Sequence, residues 1–187
     1  MAVIDVQQLR ALVELARLGS GGFTGGDVRF EERDLIGMLL EDPISPFSRE
    51  DAYDLAVCFG FMHHVPGFEN RLRLLEAMMR ATRPEGFVVA TFWQFTNDPA
   101  RAAKARRDHA RLARYLEWPI AFEPGDFLLG WQGDEAAVRY CHEVGDEEIN
   151  RLVAALGRRM PDTRVVDRFK SDGRTGDLNA YIVLQRA

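Results

Sequence analysis

Two uninterrupted apolar runs, separated by one amphipathic segment, constrain the fold of this chain more than any other feature. The runs are DLAVCFGF at residues 54–61 and FVVATFWQF at residues 87–95. Runs of this length and composition are typical of strands buried on both faces of a parallel sheet. Residues 69–82, which lie between them, have the apolar periodicity of a helix. The pattern therefore predicts a strand–helix–strand unit of an α/β protein.

The segments before this unit continue the alternation. Residues 1–6 (MAVIDV) predict a strand, residues 9–16 predict a helix with one apolar face, and residues 28–35 predict a further strand that ends at Asp34. The glycine-rich segment SGGFTGG follows a helix, so it is interpreted as a turn.

The segments after residue 97 have a different character. Asp98 and Pro99 predict the start of a helix with many basic residues, and a loop containing GDFLLGW and RYCH follows it. Asp146 is expected to cap another helix. Residues 164–169 and 180–185 predict a closing antiparallel hairpin. We expect a single domain over residues 1–187, with an insertion or substrate-side cover at about 97–143.

Composition narrows the class of protein. The formal charge of −5 argues weakly against nucleic-acid binding driven by overall charge. The two cysteines form no CxxC pair and the four histidines complete no zinc spacing, so no metal site is expected and the cytoplasm is the expected compartment. We expect no signal peptide, because the sequence does not open with a basic region followed by an apolar run, and no apolar run approaches the roughly 20 residues of a membrane span.

Ligands of open α/β sheets bind beyond the carboxyl ends of the strands. There Asp5 can accept hydrogen bonds from a ribose diol or cap a helix, and Asp34 can accept from an adenine amine or lie in a turn. Gly60 either permits close backbone approach or marks a packing bend. His63 and His64 are weak candidates for a general base, and loop packing is the alternative.

Two further groups lie after the second buried run. The basic helix over residues 101–114 can contact phosphates or form a solvated face. An aromatic and polar group can line a substrate entrance or pack a cover onto the sheet; it comprises Trp131, Arg139, Tyr140 and His142.

Residues 54–95 resemble the fourth strand, following helix and fifth strand of class I S-adenosylmethionine-dependent methyltransferases, in particular the methyltransferase type 11 group. AVIDV with QQLRALVELAR resembles the second strand and helix of that family, and the closing hairpin resembles its sixth and seventh strands. The resemblance implies a Rossmann-like sheet that binds S-adenosyl-L-methionine. It assigns the cofactor ribose to Asp5, the adenine to Asp34 and Leu35, and the methionine part to Phe59 and Gly60.

A narrower resemblance concerns the methyl acceptor. GDFLLGW and RYCHEVGDEEINRLV are similar to segments of the tRNA wobble-uridine carboxymethyl methyltransferases and their bacterial relatives. This resemblance places Gly125, Asp126 and Phe127, with Arg139, Tyr140 and His142, outside the cofactor site. The acceptor is then a tRNA base or a small molecule.

The chain departs from the family at its start, where the first strand and its glycine-rich loop have no counterpart. We therefore expect an N-terminally truncated sheet with an open edge that can support self-association. A non-catalytic remnant that binds a partner is the alternative function. A nicotinamide-dependent oxidoreductase also needs a glycine fingerprint, and the closing hairpin argues against it.

Overall fold

A computed structural model describes residues 33–41, 53–114, 121–131 and 134–187. The chain divides into two compact units, Met1–Asp34 and Leu35–Ala187. The predicted strand at residues 1–6 and the predicted helix at residues 9–16 lie outside the described residues.

The second unit alternates helices with strands in its first half and again at its end. The helices are α1 (Leu35–Glu41), α2 (Phe68–Ala81), α3 (Pro99–Leu112) and α4 (Asp146–Arg159). The strands are β1 (Tyr53–Cys58), β2 (Thr82–Trp93), β3 (Asp126–Trp131), β4 (Asp134–His142), β5 (Thr163–Ser171) and β6 (Asn179–Arg186). Short 3-10 helices at Met62–His64 and Phe95–Asn97 follow β1 and β2.

The main sheet has four strands in the order β1-β2-β6-β5. Strands β1 and β2 are parallel, with Cys58 opposite Ala90, as the strand–helix–strand prediction requires. Strand β6 lies antiparallel between β2 and β5, so the predicted closing hairpin is confirmed and its second strand is interior. This mixed α/β sheet confirms the predicted fold class.

The main core lies between this sheet and helices α2 and α4. The apolar spacing in α2 buries Leu72, Leu75 and Met79, and α4 buries Ile149 and Leu152 in the same cluster. Each buried aliphatic side chain contributes roughly 1.5–3 kcal/mol relative to an exposed one, so this shared interface fixes the two helices on the sheet.

A second, two-stranded sheet of β3 and β4 follows α3 and forms a cover with it, which we call the β3–β4 cover. The prediction of a loop containing GDFLLGW and RYCH was wrong, because both segments are strands that pair in antiparallel register. The difference arises because successive side chains of a strand face opposite sides. Leu128 is fully buried against Leu112 of α3 and Tyr140, while its two neighbours on β3 face the other side. The insertion therefore contains a hairpin as well as a helix.

Several helix ends agree with the sequence and others differ. Asp98 caps α3, accepting hydrogen bonds from the backbone N–H groups of Ala100 and Arg101, as predicted. Helix α4 begins at Asp146 with Gly145 at the cap position, so Asp146 is its first residue instead of its cap. The predicted strand over residues 28–35 is wrong at its end, because Leu35 opens helix α1.

Among the described residues, β1 pairs with β2 alone. Tyr53 and Val57 on this strand are 49% and 52% exposed, which differs from the expectation of a strand buried on both faces. Self-association through this edge stays a prediction. None of the helices in the described ranges combines the length and hydropathy needed to cross a membrane.

Candidate functional site

The carboxyl ends of the parallel strands β1 and β2 meet at one edge of the sheet, below the β3–β4 cover. Phe59 and Gly60 follow β1 directly, and the Gly60 N–H donates to the hydroxyl of Thr91 on β2 over 2.9 Å. Gly60 has a φ of +65°, a left-handed conformation that favours glycine. A Cβ placed on Gly60 would meet no heavy atom within 4 Å, so the turn borders open space where a ligand can approach the backbone.

The cofactor residues predicted from the sequence are only partly described. Asp5 lies outside the described residues, and Asp34 is exposed and belongs to the first unit. Leu35 and Phe59 both line an apolar cavity of about 390 Å³ that runs along β1. The structure brings these two residues to one cavity, while Gly60 lies at the strand end.

His63 and His64 occupy the 3-10 helix that follows Gly60, on the side of the cover. The His63 ring lies 4.1 Å from the His64 ring and 4.9 Å from the Trp93 ring, measured between centroids. Burial, together with the charges of His64 and Arg139, lowers the pKa of His63 to about 3, so the ring is neutral near pH 7. Its Nδ1 has no hydrogen-bond partner among the described residues.

Successive residues of β4 face opposite sides of the strand, which separates the predicted substrate-side residues into two groups. Arg139 places its guanidinium carbon 5.5 Å from the centre of the Trp93 ring, in a cation–π contact. Cys141, on the same side of β4, is fully buried beside Phe95. Burial raises the pKa of the Cys141 thiol to about 11, and the charge of Arg139 lowers it in part.

Tyr140 and His142 face the other side of β4, where both are buried. Both side chains bind one carboxylate oxygen of Asp126, the Tyr140 hydroxyl and His142 Nδ1 each donating over 2.5 Å. The second oxygen of Asp126 accepts from the backbone N–H of Glu123 over 2.7 Å. Trp131, the remaining predicted residue, is the last residue of β3.

Arg71 and Glu148 extend these contacts to helices α2 and α4. His142 Nε2 donates to Glu148 over 2.8 Å, and Arg71 Nε donates to the other oxygen of Glu148 over 2.8 Å. Arg71, whose side chain is 1% exposed, also donates to the carbonyl of Val65 and to the Glu123 carboxylate. We call this set the buried polar network; it comprises Arg71, Asp126, Tyr140, His142 and Glu148.

Hydrogen bonds and charges, and not burial, decide the protonation of the buried polar network. Burial would lower the pKa of His142, but the hydrogen bonds to Asp126 and Glu148 outweigh it and hold the pKa above the ordinary 6.5. Burial would raise the pKa of both carboxyl groups, and their bonds to His142 outweigh it, so both pKa values are lowered. The network therefore favours a charged histidine between two carboxylates.

Sequence reasoning named Asp126, Tyr140 and His142 but missed Arg71 and Glu148. Arg71 lies on the predicted helix with no acidic residue at helical spacing on its buried side, and its partner Glu148 is supplied by α4. The signal available in the sequence was a charged residue three and four positions before the apolar Leu74 and Leu75, on the buried face of the helix, which is unusual without a partner.

Solved structures share this architecture at low sequence identity. An S-adenosylmethionine-dependent methyltransferase from Methanosarcina mazei is 19% identical, with a TM-score of 0.60 over 98% of this chain and 79% of that chain. A proposed methyltransferase of the same kind from Listeria monocytogenes is 11% identical, with a TM-score of 0.52 over 98% and 78%. A Pyrococcus horikoshii protein is 11% identical, with a TM-score of 0.51 over 98% and 69%.

No protein-family model matches the sequence, and no curated protein matches it. At these identities the structural likeness shows the fold alone. The chain has a Rossmann-like α/β fold of the class I methyltransferase type.

Proposed function

We propose that the chain binds S-adenosyl-L-methionine at the carboxyl edge of β1 and transfers its methyl group to an acceptor held under the β3–β4 cover. The observation that carries this proposal is the open, left-handed turn at Gly60, which lies where ligands of open α/β sheets bind. The solved structures of the same fold that are described as methyltransferases support it.

Methyl transfer from a sulfonium is an in-line displacement: the acceptor forms a bond to the methyl carbon as the carbon–sulfur bond breaks. The chain therefore has to align donor and acceptor and exclude water, and proximity alone can supply much of the rate. Residues 59–60 would border the methionine part, and Asp5 and Asp34 would hold ribose and adenine. An acceptor that is already nucleophilic needs no base, so the proposal assigns none.

The acceptor is proposed to be a tRNA base or a small molecule. Helix α3 supports the first class, because Arg106, Arg107 and Arg111 are exposed beside the cover, where they can reach phosphates. The Trp93 ring supports either class, since it is partly exposed and an aromatic ring can stack on a heterocycle.

The test is isothermal titration of the 187-residue chain with S-adenosylhomocysteine, in EDTA. We expect binding in the micromolar range. Asp5→Ala removes the proposed ribose contact and should weaken binding about 10- to 100-fold, since hydrogen bonds to a charged group contribute about 1.5–3 kcal/mol. The matched control is Asp54→Ala, because exposed Asp54 lies at the opposite end of β1 and pairs with Arg83.

A folded chain that gives no binding heat would contradict cofactor binding and leave the partner-binding alternative. Equal affinities for Asp5→Ala and Asp54→Ala would remove Asp5 from the site while leaving the proposal in place. Once binding is established, tRNA and small heterocycles can be compared as acceptors with radiolabelled S-adenosylmethionine.

A further inference from the structure

Three metal-ligating side chains from two distant parts of the sequence converge below the β3–β4 cover. One ring nitrogen of His63, one of His64 and the sulfur of Cys141 all lie within 4.8 Å of one another. The histidines follow β1, and Cys141 belongs to β4. Sequence spacing offered no third ligand for the two histidines; the fold supplies it by placing β4 over the 3-10 helix.

We propose that His63, His64 and Cys141 form a binding site for a divalent transition-metal ion of the zinc type, with water or substrate as the fourth ligand. Imidazole nitrogen and thiolate sulfur are the ligands that Zn²⁺ prefers, at about 2.0–2.3 Å in tetrahedral geometry. Such a site separates its ligand atoms by roughly 3.3–3.7 Å. Binding would therefore draw these three atoms together by no more than about 1.5 Å.

The cluster has the burial and the unsatisfied bonding capacity of a ligand site. His63 is 8% exposed and Cys141 is 0% exposed, and Nδ1 of His63 has no hydrogen-bond partner among the described residues. A buried polar atom without a partner is unfavourable, and coordination would satisfy it.

The surroundings of His64 are also consistent with coordination. Its Nδ1 donates to the carbonyl of Tyr140 over 3.0 Å, which orients the ring. The same nitrogen lies 3.9 Å from the Cys141 sulfur, so it is the His64 atom that faces the proposed metal position, and coordination there would replace its bond to the Tyr140 carbonyl. The Arg139 guanidinium on the same side of β4 repels a metal cation, and the negative charge that Cys141 gains when coordination releases its thiol proton would offset that repulsion.

A second group of potential ligands shows what a site without free capacity looks like. Oxygen or nitrogen atoms of Glu123, Asp126 and His142 also lie within 4.8 Å of one another. There, however, Asp126 already accepts three hydrogen bonds and Arg71 donates to Glu123. A cation at that position would have to displace these donors, so we assign the metal to the His63–His64–Cys141 cluster alone.

This inference is independent of methyl transfer, because it requires only that the described cluster fold. Coordination and base catalysis would use the same lone pairs, so a metal-bound histidine could not also act as the base.

The test uses Co²⁺ as a spectroscopic probe on the full chain after metal is removed with EDTA. We expect one Co²⁺ per chain, with the near-ultraviolet charge-transfer band of a cobalt–thiolate bond, and its loss when Zn²⁺ displaces the probe. Cys141→Ser should abolish the band. His63→Ala should weaken Co²⁺ binding at least tenfold, since it removes one of three protein ligands.

The matched control is Cys58→Ala, because Cys58 is the other buried cysteine of this two-cysteine chain. It should keep the band, and that result alone assigns the thiolate to Cys141 even if Cys141→Ser does not fold. A wild-type chain that gives no band with Co²⁺, or a band that Cys58→Ala abolishes, would overturn the proposal. Titration with S-adenosylhomocysteine in EDTA reports on the proposed function separately.

Discussion

Strand β4 meets the rest of the protein in two contrasting ways. On one side, Tyr140 and His142 enter the buried polar network, where each carboxylate has a donor and each donor has an acceptor. On the other side, Cys141 lies beside His63, whose Nδ1 has no partner among the described residues. The same strand therefore carries a saturated polar cluster and an unsaturated one, a few ångströms apart.

We infer that the two sides of β4 have different roles: one holds the cover in place, and the other can bind a ligand beneath the cover. Hydrogen-bonding groups that already satisfy one another have little left for a ligand, and removing one member leaves the others buried and unpaired. Groups that lack partners contribute little to stability but keep the capacity to bind. We therefore expect the network to dominate stability and the His63 side to dominate ligand binding.

The largest loss of stability is expected when Arg71 is substituted. Arg71→Met keeps the apolar stem but removes the donor to Glu123, to the Val65 carbonyl and to one oxygen of Glu148, and should lower the free energy of unfolding by about 3–5 kcal/mol. Urea denaturation at pH 7 measures it. Arg73→Met is the matched control on the same helix, where a half-exposed pair with Glu69 is worth less than about 1 kcal/mol. Similar losses for the two variants would contradict a cooperative buried network.

A smaller effect is expected in the pH dependence of the free energy of unfolding. Because folding raises the pKa of His142 above 6.5, its stabilising contribution is complete below that pH and is lost as pH rises through the folded-state pKa. His142→Gln should cost about 2 kcal/mol near pH 6 and less at higher pH. The comparison is urea denaturation of both proteins between about pH 6 and pH 9.

The carboxyl groups of the network do not contribute to the pH dependence between about pH 6 and pH 9. The pKa values of Asp126 and Glu148 are lowered, so their contributions are present above the ordinary values of 3.8 and 4.5 and are lost only in acid. Parallel stability curves for wild type and His142→Gln over the neutral and alkaline range would show that His142 is not charged in the folded protein.

The smallest change in stability is expected when His63 is substituted. His63→Leu removes a buried polar atom that lacks a partner and replaces it with an apolar group, so the free energy of unfolding in EDTA should change by less than about 1 kcal/mol. His142→Leu, at a buried histidine with two partners, is the comparison and should cost clearly more. Equal losses would remove the distinction between the two sides of β4.

The sequence predicted the main sheet because each of its strands carries a local signal. The run at residues 54–61, the run at residues 87–95 and the closing hairpin all appear as strands near the predicted positions. The cover was not predicted as a hairpin, because GDFLLGW and RYCH are mixed in polarity. Asp126 and His142, which local pattern treats as loop residues, are buried in strands where distant partners satisfy them.

The candidate site was predictable only in part, for the same reason. Phe59 and Gly60 could be placed at a strand end from the strand signal alone. Cys141 could not be associated with His63, because their proximity depends on how the cover sits over the sheet and not on spacing along the chain. The partner of Arg71 could likewise not be predicted, because the sequence predicts helix α4 but not the direction in which its side chains face.

The position of β6 has a consequence for the order in which the protein folds. The pairing of β2 with β6 joins Phe87 to Gln185, about a hundred residues apart, whereas β3 and β4 join Asp126 to His142, about sixteen apart. Closing the shorter loop costs less chain entropy, so we expect the cover hairpin to form before the sheet is complete. Tyr140 and His142 would then stay hydrated until α2 and α4 dock, and mutations in the network would accelerate unfolding more than they slow folding.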